Sequence, residues 1–218
     1  MGTITRSFAN NITTSGVLLP ASLTNNSIAN VTAYNAAIAT GNMVLLSTQT
    51  ASNSASISFT TGINSTYKEY QFWFIDIHAR TDLANFTFNL SSDSGSNYNV
   101  TKTTTFFTAY HDEADTSAGL QYEASNDIAQ GTGFTLLGNV LDNNADDSAG
   151  GYFSIFNPAS TTYVKHFISV LQKGTGGDGY CAVNYVAGYG NTTSAINAIQ
   201  FKMSSGNMDG TILMYGIV

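Results

Sequence analysis

From Met43 to Val218 the chain repeats one local pattern. A short run of alternating apolar and polar residues is followed by a cluster of Gly, Asn, Ser or Asp, roughly every 10 to 15 residues. Period-two alternation places successive side chains on opposite faces of a strand, and the polar clusters are turn formers. "NFTFNL" is the cleanest case: Phe86, Phe88 and Leu90 are expected to point inward, and Asn85, Thr87 and Asn89 outward. "YKEYQFWFIDIHA" is apolar on both faces, with Tyr70, Phe72 and Phe74 on one and Trp73, Ile75 and Ile77 on the other. Such a strand is expected at the centre of a sheet. The remaining runs are "MVLLSTQT", "SASISFT", "YNVTKTTTFFTAY", "GFTLLGNVL", "GYFSIFNP", "TTYVKHFISVLQ", "YCAVNYVAG", "AINAIQFKM" and the closing "TILMYGIV". They predict an all-β fold, an antiparallel β-sandwich or jelly roll of about ten strands.

Composition closes off the alternatives. Only 10% of the 218 residues are Asp, Glu, Lys or Arg, and Ser, Thr and Asn make up roughly a third. These residues favour turns and strand surfaces over helix interiors. The net charge is −7, with 7 basic residues scattered along the chain, so no basic surface for nucleic acid is expected. A weakly charged surface rich in hydroxyls and amides suits neutral partners. There is no apolar run of 18 residues, so no membrane span is expected. "MGTITRSFANN" lacks the apolar core of a secretory leader. Cys181 is the single cysteine, and within "GYCAVNYVAGY" it reads as a small buried hydrophobe.

Residues 1–42 differ from the rest, with few aromatics and no sustained periodicity. They read as an extended N-terminal arm or adaptor, with one helical turn near Ala33–Ala37, joined to a domain over 43–218. The apolar island Val17, Leu18 and Leu19 is the arm's candidate contact with another subunit or a capsid. Leu213, Tyr215 and Ile217 are the matching candidates on the last strand. Ile212 and Met214 face the core there, and the opposite face needs a second sheet, the arm or a neighbour to cover it.

Several motifs carry less chemistry than their letters suggest. "GTGGDG" (174–179) has dinucleotide-loop spacing, but a strand follows it where a helix N-terminus is required, so a hairpin loop is expected. "DNNADD" (142–147) begins like a calcium loop, but Asp147 replaces the turn glycine and Phe153 stands where the closing Glu belongs. "YHDEAD" gathers His111, Asp112, Glu113 and Asp115 in what reads as a solvated acidic tip. His166 alternates with Val164 and Ile168, which favours a packing role within a sheet. Asp76 and His78 lie two apart with no nucleophile motif beside them. No catalytic residue, metal or cofactor is therefore expected. Tyr110, Tyr122 and Tyr180 lie at strand ends or loops near Asn and Asp, where aromatic stacking and hydrogen bonding serve sugar sites and protein interfaces alike.

Three stretches, "NFTFNLSSDSGSNYNVTKTTTFF", "FNPASTTYVKHFI" and "GYGNTTSAINAIQFKMSSGNMDGTILMYGI", resemble a group of virion structural proteins of tailed bacteriophages of aquatic bacteria. The resemblance implies jelly-roll-like domains and a capsid or tail component. It leads to the expectation of a homotrimer made in the host cytoplasm and incorporated into the virion. The role expected is a capsid decoration (cement) protein or short head fibre, attached to other capsid or tail subunits through residues 1–42. The alternative expectation is a tail-fibre or receptor-binding module that recognises host glycans through Tyr110, Tyr122 and Tyr180.

Overall fold

In the computed structural model, residues 12–13, 16–17, 42–175 and 179–218 are described. The chain divides into two units, Met1–Gly41 and Asn42–Val218. In the first, β1 (Ile12–Thr13) pairs antiparallel with β2 (Gly16–Val17). Leu18, Leu19 and the expected turn at 33–37 lie outside the described residues.

The second unit holds twelve strands: β3 (Met43–Ser54), β4 (Ile57–Phe59), β5 (Glu69–Ala79), β6 (Ala84–Ser91), β7 (Lys102–Asp112), β8 (Ala118–Tyr122), β9 (Thr135–Leu141), β10 (Ala149–Phe156), β11 (Lys165–Thr175), β12 (Tyr180–Gly190), β13 (Ala198–Met203) and β14 (Met208–Ile217). One sheet runs β3-β14-β5-β10-β11-β12-β7-β8 and the other β4-β13-β6-β9, all pairs antiparallel. Strand β8 lies in a stretch that reads as an acidic loop, because its "AGLQY" is short and has only two large apolar residues.

The order is that of a jelly roll. Eight strands pair first with last: β3 with β14, β4 with β13, β5 with β10 and β6 with β9. A long antiparallel ribbon rolled on itself gives two four-stranded sheets, β3-β14-β5-β10 and β4-β13-β6-β9. Two further hairpins are inserted in the chain, β7–β8 after β6 and β11–β12 after β10. Both join the first sheet beyond β10 and double its width.

Phenylalanine fills the space between the sheets. Phe59, Phe72, Phe74, Phe86, Phe88, Phe153, Phe167 and Phe201 are all buried. Phe201 lies at their centre, with ring centroids 5.2 Å from Phe74, 5.4 Å from Phe72 and 6.0 Å from Phe86. Phe86, Phe88 and Leu90 point inward as their alternation requires. Asn89 and Thr87 do not reach water, however. Asn89 Nδ2 donates to Tyr98 O and Thr132 O, and Thr87 Oγ1 to Lys202 O, so connecting segments and the neighbouring strand cover that face. Strand β5 is central, between β14 and β10. Its face assignment changes at Asp76, where a bulge with φ +51° turns Ile77 into the core while Trp73 and Ile75 stay outside.

Three lysines are buried: Lys102, Lys165 and Lys173. Each occupies an inward strand position and donates to oxygens that a strand end or bulge leaves exposed. Lys102 Nζ meets Asn89 Oδ1 at 2.5 Å and Val100 O at 2.9 Å. Lys165 Nζ meets Tyr163 O at 2.7 Å and Thr192 O at 3.1 Å. Desolvation lowers the Lys102 ammonium to about 8.

Candidate functional site

Two regions of the sandwich stand out: the outer face of the eight-stranded sheet, and a cleft on its inner side beyond the edge of the smaller sheet.

Cross-strand register defines the outer face. Met43 and Leu45 (β3) stand opposite Ile217 and Tyr215 (β14), Leu213 opposite Trp73 (β5), and Trp73 opposite Tyr152 (β10). Tyr152 continues to Val170 (β11), Val170 to Tyr185 (β12), Tyr185 to Phe107 (β7) and Phe107 to Tyr122 (β8). A row of large side chains, Leu213 to Tyr122, thus crosses seven of the eight strands; on β3 the residue opposite Leu213 is Thr48, and Leu45 and Met43 flank the row beside Tyr215 and Ile217. Of the thirteen exposed large hydrophobics among the described residues, nine lie on this face: Met43, Leu45, Trp73, Ile75, Phe107, Leu120, Tyr122, Phe156 and Ile168. Glu69 marks one end of the face and the Asp76 bulge the other. Between them no outward position carries Asp, Glu, Lys or Arg.

Polar atoms on this face pair with one another. Trp73 Nε1 donates to Gln71 Oε1 at 2.8 Å, Gln71 Nε2 donates to Ser154 Oγ at 3.1 Å, and the Thr50 and Thr211 hydroxyls meet at 3.0 Å. The Trp73 and Tyr152 rings lie 6.2 Å apart, and Phe107 stacks on Tyr185 at 4.9 Å. A depression of about 380 Å³ opens between Phe156, His166, Ile168, Tyr189, Thr103 and Thr105. Such a surface could be covered by another protein without stranding these paired polar groups.

The cleft arises because the wide sheet outruns the narrow one. Strand β9 is an edge of the small sheet and packs over β11 and β12. Gly138 permits that approach, since a Cβ there would lie 2.4 Å from Leu171 Cδ2. Beyond β9 the inner faces of β12, β7 and β8 remain open and enclose a cleft of about 280 Å³. Tyr110 and Tyr180 meet edge to face across it, ring centroids 5.7 Å apart. Gly119 stands opposite Tyr110 and leaves room for its ring; a Cβ there would approach the phenol oxygen to 3.0 Å.

The polar side of the cleft centres on Glu123. Its Oε2 accepts from Asn139 Nδ2 at 2.9 Å and from Asn126 Nδ2, while Oε1 receives only Gln121 Nε2 at 3.4 Å, a weak contact. Two costs are concentrated in adjacent residues of β9. Asn139 Oδ1 is buried without a hydrogen-bond partner. Val140 takes φ +48°, the only β-branched residue among the non-glycine positive-φ residues described. The left-handed region is unfavourable for β-branched side chains. Bulging at this point turns the carbonyls of Asn139 and Val140 toward Lys173 Nζ, with Val140 O at 2.9 Å, and Asn85 Oδ1 accepts from Val140 N at 2.9 Å.

The structure sorts the residues singled out from sequence. Leu213, Tyr215 and Ile217 share the outer face, half-buried, on a strand interior to the sheet. Ile212 and Met214 are in the core. Val17 lies on β2. Tyr110 and Tyr180 meet in the cleft, whereas Tyr122 is on the opposite side of the sheet with its hydroxyl on Asp127 Oδ2. Cys181 is exposed rather than buried, because its strand position shares the outward face with Val183 and Tyr185. His166 is exposed on that same face, 6.2 Å from the Tyr189 ring. His78 Nε2 lies 2.9 Å from Asn144 O and its Nδ1 4.0 Å from Asp209, so its partners are not Asp76. Gly174 and Thr175 of the 174–179 motif end β11, the strand expected after the motif is β12, and residues 176–178 lie outside the described residues. Among the described residues no three His, Cys, Asp or Glu side chains converge as metal ligands, and no helix is long and apolar enough to cross a membrane.

The fold and this site define a class: a jelly-roll β-sandwich with an uncharged aromatic face. The chain matches no protein-family model, no curated protein and no solved structure.

Proposed function

We propose that the chain is a structural assembly protein, a virion subunit of the capsid-decoration or short head-fibre kind, and that it self-associates as a homotrimer through the outer face of its eight-stranded sheet. The observation that carries this reading is the row of large, mostly apolar side chains crossing seven strands, flanked by Leu45 and Met43 on the eighth, with no charged residue among them. An exposed surface of that kind is a liability on a lone soluble domain.

Seven inter-strand spacings of about 4.8 Å, and strand segments of about seven residues at about 3.3 Å, give a face of roughly 800 Å². In a ring each copy divides that area between two neighbours, so a single contact is smaller than a standard interface and the ring is held by its contacts together. Twist argues against two copies meeting face to face, and three-fold closure is part of the proposal. Seven steps of about 20° rotate β8 far from β3, so one copy cannot cover the whole face. The β3-β14-β5 half of one copy packs on the β11-β12-β7 half of the next, a head-to-tail contact that closes as a ring. Residues 1–42 are proposed as the anchor to capsid or tail subunits.

Light scattering on the intact chain and on the chain lacking residues 1–41 tests this reading. The intact chain is expected at about 69 kDa, three times its 23.1 kDa, and the shortened form at three times its own, smaller mass. The shortened form should no longer attach to particles that carry the intact protein. A monomer in both forms would overturn the assembly reading, and retained attachment would overturn the anchor.

A further inference from the structure

We propose that the cleft between β9 and the overhanging strands β12, β7 and β8 binds one pyranose ring of a neutral, hydroxyl-rich saccharide. The Tyr110–Tyr180 pair supplies the apolar wall and Glu123 the hydrogen-bond acceptor. This goes beyond the assembly reading and rests on none of it, because the cleft opens on the other side of the sheet.

The chemistry follows from the walls. Pyranoses present an apolar C–H face and equatorial hydroxyls, and so match a site with an aromatic surface on one side and a carboxylate or amides on the other. Tyr110 is held in place by Tyr180 and by the space above Gly119. Glu123 is fixed by the two amide donors on Oε2, and its Oε1 is left with one long contact. A charged-acceptor hydrogen bond from a sugar hydroxyl is the strongest contact that atom can gain. Gln121 and Thr108 line the same cleft.

Size and charge narrow the ligand. At about 280 Å³ the cleft sits at the lower end of small-molecule sites, enough for one ring rather than a chain. Anions are disfavoured by Glu123. The Lys173 ammonium keeps its charge, but it is buried and its Nζ donates to the carbonyls of Asn139 and Val140, so it is turned to the protein rather than to a ligand. The unmet Asn139 Oδ1 and the left-handed Val140 lie side by side on the cleft wall. Costs of this kind collect where geometry serves binding rather than stability.

Saturation-transfer NMR on the full chain provides the test. The probes are the methyl glycosides of glucose, galactose, mannose and N-acetylglucosamine, with sialic acid and glucose 6-phosphate as anionic comparators. Transfer to at least one neutral glycoside is expected, weakened tenfold or more in Tyr110→Ala and in Glu123→Gln. Unchanged melting temperatures would confirm that these variants are folded. Leu213→Lys, on the opposite side of the sheet, should leave the signal unaltered, which separates this proposal from the assembly reading. No transfer from the folded protein to any neutral probe would overturn it. So would undiminished transfer in Tyr110→Ala, or preference for the anionic probes.

Discussion

Val140 and Lys102 show how single residues depart from what favours stability alone. Val140 holds a backbone conformation that costs a β-branched residue about 1–2 kcal/mol, and it is more than a third exposed. Val140→Gly should therefore raise the chemical-denaturation midpoint or leave it unchanged, where a typical strand substitution to glycine lowers it. A loss above about 1 kcal/mol would contradict the strain. Lys102 has its ammonium lowered from 10.5 to about 8 by burial. The unfolded chain holds that proton up to about pH 10.5, whereas the folded chain releases it above about 8. Stability from this group thus rises with pH across that window. Lys102→Met should flatten the rise between pH 8 and 10, read from urea midpoints; an unchanged slope would mean the lysine is better solvated than its burial implies. Phe201 belongs to the opposite category, a residue serving packing only. Phe201→Ala should cost about 3–5 kcal/mol, measured by urea unfolding.

Strands were legible in the sequence wherever both the period and the apolar content were strong. The β6 alternation placed Phe86, Phe88 and Leu90 in the core, and the β14 alternation did the same for Ile212 and Met214. What the alternation does not specify is whether the other face meets water. On β6, Asn89 is polar yet sealed by Tyr98 and Thr132, which come from connecting segments. On β5, Trp73 and Ile75 are apolar yet exposed, because burial of a second face depends on a partner the single chain does not supply. Strand β8 went unread because its apolar residues Leu120 and Tyr122 lie on the uncovered side. The cleft was half legible. Tyr110 and Tyr180 stood out as strand-end aromatics, but Glu123 and Asn139 come together only because β9 bulges over the sheet. Amide exchange should follow this architecture. Strand β5 lies between two neighbours over a phenylalanine core and should exchange slowest, while β8, a short edge strand, should exchange at least a hundredfold faster. Equal protection in the two strands would contradict the topology.

At the scale of the molecule, the inserted hairpins β7–β8 and β11–β12 shape both surfaces. They widen one sheet of a jelly roll to eight strands, which extends the uncharged aromatic face and leaves an overhang that forms the cleft. The face is expected to be where copies meet, and the facing pair Leu213 and Trp73 lies within the β3-β14-β5 half proposed to pack on a neighbour. The most direct measurement is the solution mass of Leu213→Lys/Trp73→Lys beside the wild-type protein, with circular dichroism to establish that both are folded. Two charges in that half of the face should convert a trimer of about 69 kDa into a folded monomer of 23.1 kDa. A folded double variant that keeps the mass of a trimer, or a wild-type protein that is monomeric at every concentration, would show that the outer face is not the subunit interface.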